Sequence, residues 1–132
     1  MYNKKSNWNG KCHVVNGEGM KSGMVDMHSH GLADEIGTEL QYVIRRSDDS
    51  FVEIQELFSE IAHRVINHKL KLKDHSRFKS DLFGIYFELF KTKDSAGKTI
   101  YRVIEPDMQG RFPKDSKSPY FSKQYESPYV CA

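Results

Sequence analysis

Asp26, His28 and His30 stand at alternate positions in Val25-Asp26-Met27-His28-Ser29-His30-Gly31-Leu32. In an extended strand alternate side chains share a face. One carboxylate and two imidazoles would then point the same way. Such a set can bind a divalent ion such as Zn²⁺, or Mn²⁺, Fe²⁺ or Ni²⁺. It can also move protons, because an imidazole titrates near neutrality. A bland alternative is equally open: histidines hydrogen-bonded at a strand end, with no chemistry. A metal would need a third or fourth ligand. His63 and His68 are five apart and do not share a helix face, His75 lies in a basic stretch, and His13 merely follows Cys12. Asp107 is a candidate carboxylate, in a Pro106–Gly110 turn that is expected to close over the histidines. No serine or cysteine is placed as a nucleophile: Ser29 faces away from its neighbours on a regular strand.

The elements that must position these residues follow from periodicity. Cys12–Val15 reads as a short strand, Asn16-Gly17-Glu18-Gly19 as a turn, and Met24–His30 as a second strand. Leu32, Ala33 and Ile36 suit one helical turn closed by Gly37. Leu40, Tyr42 and Ile44 alternate with Gln41, Val43 and Arg45 as a third strand. Ser50 and Glu53 have the spacing of a capping box. After them Phe51, Ile54, Leu57, Phe58, Ile61 and Val65 trace a helical stripe, with Glu60–Arg64 as a supporting pair. Alternation through residues 83–90 and 100–105, about an Asp94-Ser95-Ala96-Gly97 turn, predicts an antiparallel hairpin that Pro106 ends. The expected fold is α+β: an antiparallel or mixed sheet with one main amphipathic helix packed on a face. Residues 1–11 are expected to be a flexible arm. Residues 12–132 form the single domain, with an irregular tail from about 106 pinned by Phe112, Tyr120, Phe121 and Tyr125.

Composition narrows the partners. The 132 residues carry a formal charge of only +2, so nucleic acid is not the first expectation. A basic patch, Lys69, Lys71, Lys73, Arg77 and Lys79, could touch phosphate or a protein, but reads equally as a solvated helix end and loop. Tyr42 and Arg102 join the three strand residues and Asp107 as pocket candidates, although aromatics at strand spacing are more often core. No apolar run spans a membrane and no leader pattern opens the chain, so the expected location is the cytoplasm. Cys12 and Cys131 are expected as free thiols there, with a disulfide between the termini as the alternative.

Two resemblances meet at the histidines. Asp26-x-His28-x-His30 is similar to the metal-binding strand of amidohydrolases and histidinol phosphatases, but their barrel needs roughly 250 residues. A longer likeness carries His28-Ser29-His30-Gly31-Leu32, Thr38–Ile44, the helix from Phe51, Tyr101–Gly110 with Pro106-Asp107-x-x-Gly110, and Tyr120–Gln124. In that order and spacing the chain resembles the DUF4262 family of small bacterial proteins. It departs before Gly37, where a proline is often expected. The resemblance implies no reaction. Three readings therefore stand: a small binding or accessory protein with a histidine-lined pocket, a metal-dependent hydrolase-like enzyme using Asp26, His28 and His30, and a basic interaction module.

Overall fold

The computed structural model describes residues 4–44, 50–115 and 119–130. It is an α+β fold around one six-stranded mixed sheet. In chain order the strands are β1 (Cys12–Val15), β2 (Met24–Ser29), β3 (Leu40–Ile44), β4 (Arg77–Lys79), β5 (Tyr86–Lys93) and β6 (Thr99–Ile104). Helix α1 (Ala33–Ile36) lies between β2 and β3, α2 (Ser50–Ile66) between β3 and β4, and α3 (Pro119–Ser122) in the tail, followed by a 3₁₀ turn over Lys123–Tyr125. The spatial order is β1-β2-β3-β6-β5-β4, with only β3 and β6 parallel.

The parallel join has a chain-level cause. Helix α2 lies in the chain between β3 and the edge strand β4, and the β5–β6 hairpin returns the chain to the centre of the sheet. Asp94 closes that hairpin: its backbone pairs with Lys98, and its Oδ1 accepts from the amides of Ala96 and Lys98 at 2.9 Å each.

Alternation divides the sheet into two faces. Val25, Met27, Leu40, Tyr42, Ile44, Phe87, Leu89 and Val103 pack with Ile54, Leu57, Phe58 and Ile61 of α2 into one core. Leu57, Phe58 and Ile61 are fully buried; each such burial stabilises by about 1.5–3 kcal/mol. The Glu60–Arg64 pair forms at 2.9 Å, and Glu60 also accepts from the Ser80 hydroxyl and the Asp81 amide. The expected Ser50 cap, and residues 45–49 before it, lie outside the described side chains and residues.

The opposite face is covered by the tail rather than by a helix. Tyr125 sets its ring 4.7 Å from Phe90. Gln124 is fully buried, accepts from the Glu105 amide and donates to the Glu105 carbonyl, continuing the edge of β6 with a side chain. Residues 128–130 bridge to 19–21 through Lys21 N to Pro128 O and Val130 N to Gly19 O, each 2.8 Å. The tail is thus more structured than an irregular coil. The beginning of the chain is laid on the body as well: Trp8 donates to the His30 carbonyl at 2.7 Å and packs on Phe58.

One expected strand segment is a loop. Phe83 and Ile85 alternate as a strand would, but the chain turns at 81–84, with Gly84 N bonded to Ser80 O. Lys69–Lys73 is coil: Leu70 and Leu72 pack toward the core while the lysines face water.

Candidate metal centre

Register assembles the site. His13 on β1 stands opposite His28 on β2, His28 opposite Gln41 on β3, Gln41 opposite Arg102 on β6, and Arg102 opposite Phe90 on β5. Residues directly opposed across strands point to one face, so a row of polar side chains crosses the tail-covered side of the sheet. His30 follows β2, and its amide extends the ladder to Lys11 O at 2.9 Å. Gly31, at φ 85, then turns the chain into α1 through a conformation that disfavours other residues.

Glu39 anchors that turn. It accepts from the Ser29 hydroxyl at 2.7 Å and from the amides of Leu32 and Ala33 at 3.1 and 3.0 Å. Ser29 in turn accepts from the Leu40 amide. These bonds fix the bend that directs His30 back toward His13.

One nitrogen from each of His13, His28 and His30 lies within 4.8 Å of the others. The ring centroids are 4.7 to 5.7 Å apart, and His13 Nδ1 meets His30 Nε2 at 2.6 Å. Tetrahedral zinc with nitrogens at about 2.1 Å holds its ligand atoms about 3.4 Å apart. The His13–His30 pair need open by less than about 1 Å to exchange a shared proton for such an ion. His13 is exposed and the other two are half-buried, so the cluster is reachable from solvent. Burial, together with the neighbouring His28 and His13, holds the His30 pKa below the ordinary imidazole value.

Asp26 is beside this cluster but outside it. The carboxylate accepts from Gln41 Nε2 at 2.8 Å and from the Tyr129 hydroxyl, and its Oδ1 lies 3.2 Å from His28 Nδ1. Proton directions follow without choice. Arg102 can only donate, and its Nε meets Gln41 Oε1 at 2.8 Å. That leaves Gln41 Nε2 as the donor to Asp26. The ionised carboxylate accepts from His28 Nδ1–H, which leaves the His28 Nε2 lone pair free. Carboxylates that set the tautomer of a metal-bound histidine act in this way. Burial alone would raise the Asp26 pKa; the donors Gln41, Tyr129 and His28 outweigh it and hold the group low. Tyr129 is the counterpart: burial and the bond to Asp26 push its hydroxyl up to about 12, so it stays a donor. Burial pulls Arg102 down to about 10, still charged at neutral pH. Its NH1 is received by the carbonyls of Gln124 and Glu126 at 2.7 and 2.8 Å.

An open cleft of about 260 Å³ adjoins the histidines, with His28, His30, Glu39, Gln41, Ser95 and Lys98 in its walls. A smaller one of about 170 Å³ continues past Asp26 to Arg102 and Tyr129.

The other sequence candidates fall elsewhere. Tyr42 is on the α2 side of β3, fully buried, with its hydroxyl on Glu105 at 3.1 Å. Asp107 serves its own turn, accepting from the amides of Gln109 and Arg111 and from Arg111 Nε. It lines neither of the two clefts beside the histidines. Lys69, Lys71, Lys73, Arg77 and Lys79 are all exposed, with Arg77 tied to Glu88 at 3.2 Å. Cys12 alternates with His13 and turns from the cluster; burial, then Glu39, push its thiol up to about 11, away from the thiolate a metal needs. Cys131 lies outside the described residues. His13 is the member of the cluster that its place beside Cys12 does not single out. The available signal was the Asn16–Gly19 turn, which makes β1 and β2 neighbours.

Comparison with protein-family models, with curated proteins and with solved structures returns no match for the chain. Among the described residues no helix is long and apolar enough to cross a membrane.

Proposed function

We propose that this is a metal-binding protein in which His13, His28 and His30 hold a divalent transition ion, with zinc the leading choice. The observation that carries the reading is the convergence of three imidazoles from two strands and a strand end, one of them oriented by a buried carboxylate. Three neutral nitrogens suit Zn²⁺ and its neighbours better than Mg²⁺ or Ca²⁺, which prefer oxygen. Three protein ligands leave one tetrahedral position for water or a bound group, the pattern of reactive rather than purely structural zinc sites. In this reading Asp26 is a positioning residue and not a ligand. The resemblance to DUF4262 proteins includes His28 and His30 but implies no substrate.

A hydrolytic role is the second reading, favoured by the cleft beside His28 and His30. There a metal-bound water would have a lowered pKa, and a substrate would lie between the histidines and Lys98.

Metal analysis of protein purified under zinc-replete conditions tests the first reading. About one equivalent is expected in the native chain, and none above background in the His13→Ala, His28→Ala and His30→Ala variants, with circular dichroism unchanged. Equal metal content in native and variant proteins would overturn it. Ester hydrolysis that appears with zinc and vanishes with each substitution would support the second; zinc-loaded protein without turnover on a panel of esters and phosphoesters would count against it.

A further inference from the structure

The far end of the same sheet face carries a second constellation that the metal reading leaves unused. Glu88 on β5 is 2% exposed. Its Oε2 accepts from Arg77 Nε at 3.2 Å, its Oε1 lies 3.4 Å from His75 Nδ1, and it also takes the Tyr125 hydroxyl. The Arg77 guanidinium lies 4.2 Å from the centroid of the Phe112 ring. A guanidinium held through Nε and stacked on a ring has lost most of its freedom before any ligand arrives. Its two terminal nitrogens make no hydrogen bond among the described residues.

Arg77 lines a cleft of about 480 Å³ together with His75, Glu88, Lys114 and Tyr125. Lys114 is exposed and has no ion pair among the described residues. His75 lines the cleft at φ 64, a left-handed conformation that is strained for a non-glycine residue. Its amide is held by Leu89 O at 2.7 Å, and its ring packs against Phe90 and Tyr125. A left-handed residue, a buried carboxylate behind an arginine and a lysine without an ion pair among the described residues line one opening.

We infer that this cleft binds a phosphate monoester, with Arg77 and Lys114 as its recognition residues and Glu88 as the carboxylate that aims Arg77. The guanidinium fork serves two oxygens of a tetrahedral oxyanion, and the ammonium serves a third. A carboxylate ligand has only two oxygens and would leave part of this donor set idle. The inference is independent of the metal site, which lies at the other end of the sheet face.

The test is titration of metal-free protein with inorganic phosphate and phenyl phosphate, followed by calorimetry and by the NMR signals of His75 and Arg77 Nε. Acetate and benzoate run in parallel. Saturable binding of both phosphates is expected, with shifts at His75 and Arg77. Lys114→Ala should weaken it about tenfold, as loss of one charge-assisted bond does. Arg77→Lys, which keeps the charge and loses the fork, should weaken it at least as much. The triple alanine variant of His13, His28 and His30 should bind phosphate normally. Binding that never saturates, affinity unchanged in both variants, or shifts confined to Lys69–Lys73 would overturn the site. Equal affinity for benzoate would overturn the phosphate assignment. Lys114 is on the surface, so its variant keeps the test meaningful if Arg77→Lys folds poorly.

Discussion

Removing the Tyr129 hydroxyl leaves all three imidazoles in place yet takes one donor from Asp26. Tyr129→Phe and Asp26→Asn should therefore lower zinc affinity by about 10–100-fold, the usual cost of losing an orienting partner. Substitution of His13 should abolish binding. Competition titration against a zinc indicator separates the two outcomes, and native affinity in both positioning variants would show that His28 needs no orienting partner. Asp26 also carries a pH signature. Its folded pKa lies below its unfolded one. The stability it lends is complete above the unfolded value of about 3.9 and is lost as pH falls through the folded value. Asp26→Asn should show a shallower fall in denaturation midpoint below about pH 4 than the native chain; equal slopes would assign the acid limb to other carboxylates. Cys12, with its thiol near 11, should react slowly with iodoacetamide at neutral pH in a Cys131→Ser background. Rapid alkylation of the folded protein would contradict its burial.

The elements divide labour between the two sheet faces. Helix α2 covers one with an apolar stripe, and its contribution is concentrated in residues such as Leu57, which is fully buried. Leu57→Ala should cost about 2–5 kcal/mol of unfolding free energy through lost burial and a residual cavity. A urea series would read this directly, and a change below about 1 kcal/mol would mean that the core closes around the gap. The α2 stripe was legible because a 3.6-residue period can be counted. The strand at 83–85 was misleading because Phe83 and Ile85 alternate correctly, yet Ser80 and Gly84 bond locally and turn the chain first. At Lys69–Lys73 alternation separates leucines packed inward from lysines in water, without any ladder of hydrogen bonds.

Across the whole molecule the tail does for one face what α2 does for the other, but by polar means. Two tail tyrosines each donate to a buried carboxylate, Tyr129 to Asp26 and Tyr125 to Glu88, and between them two tail carbonyls receive Arg102. A chain ending at Ser122 would uncover the face that the tail buries and remove the partners of Arg102, Glu88 and Asp26. Its melting temperature should fall by about 10 °C or more, whereas an unchanged melt would make the strap dispensable. The amino-acid sequence by itself determined the α+β class, the main helix, the β5–β6 hairpin and the shared face of Asp26 and His28, because these depend on short periods and turn residues. Only the tertiary structure decided that His13 completes the cluster, that Asp26 stands behind His28, and that Tyr42 and Asp107 belong elsewhere. The reason is register: which residues of separate strands stand opposite one another is set by the packing of the whole sheet, and no local spacing records it.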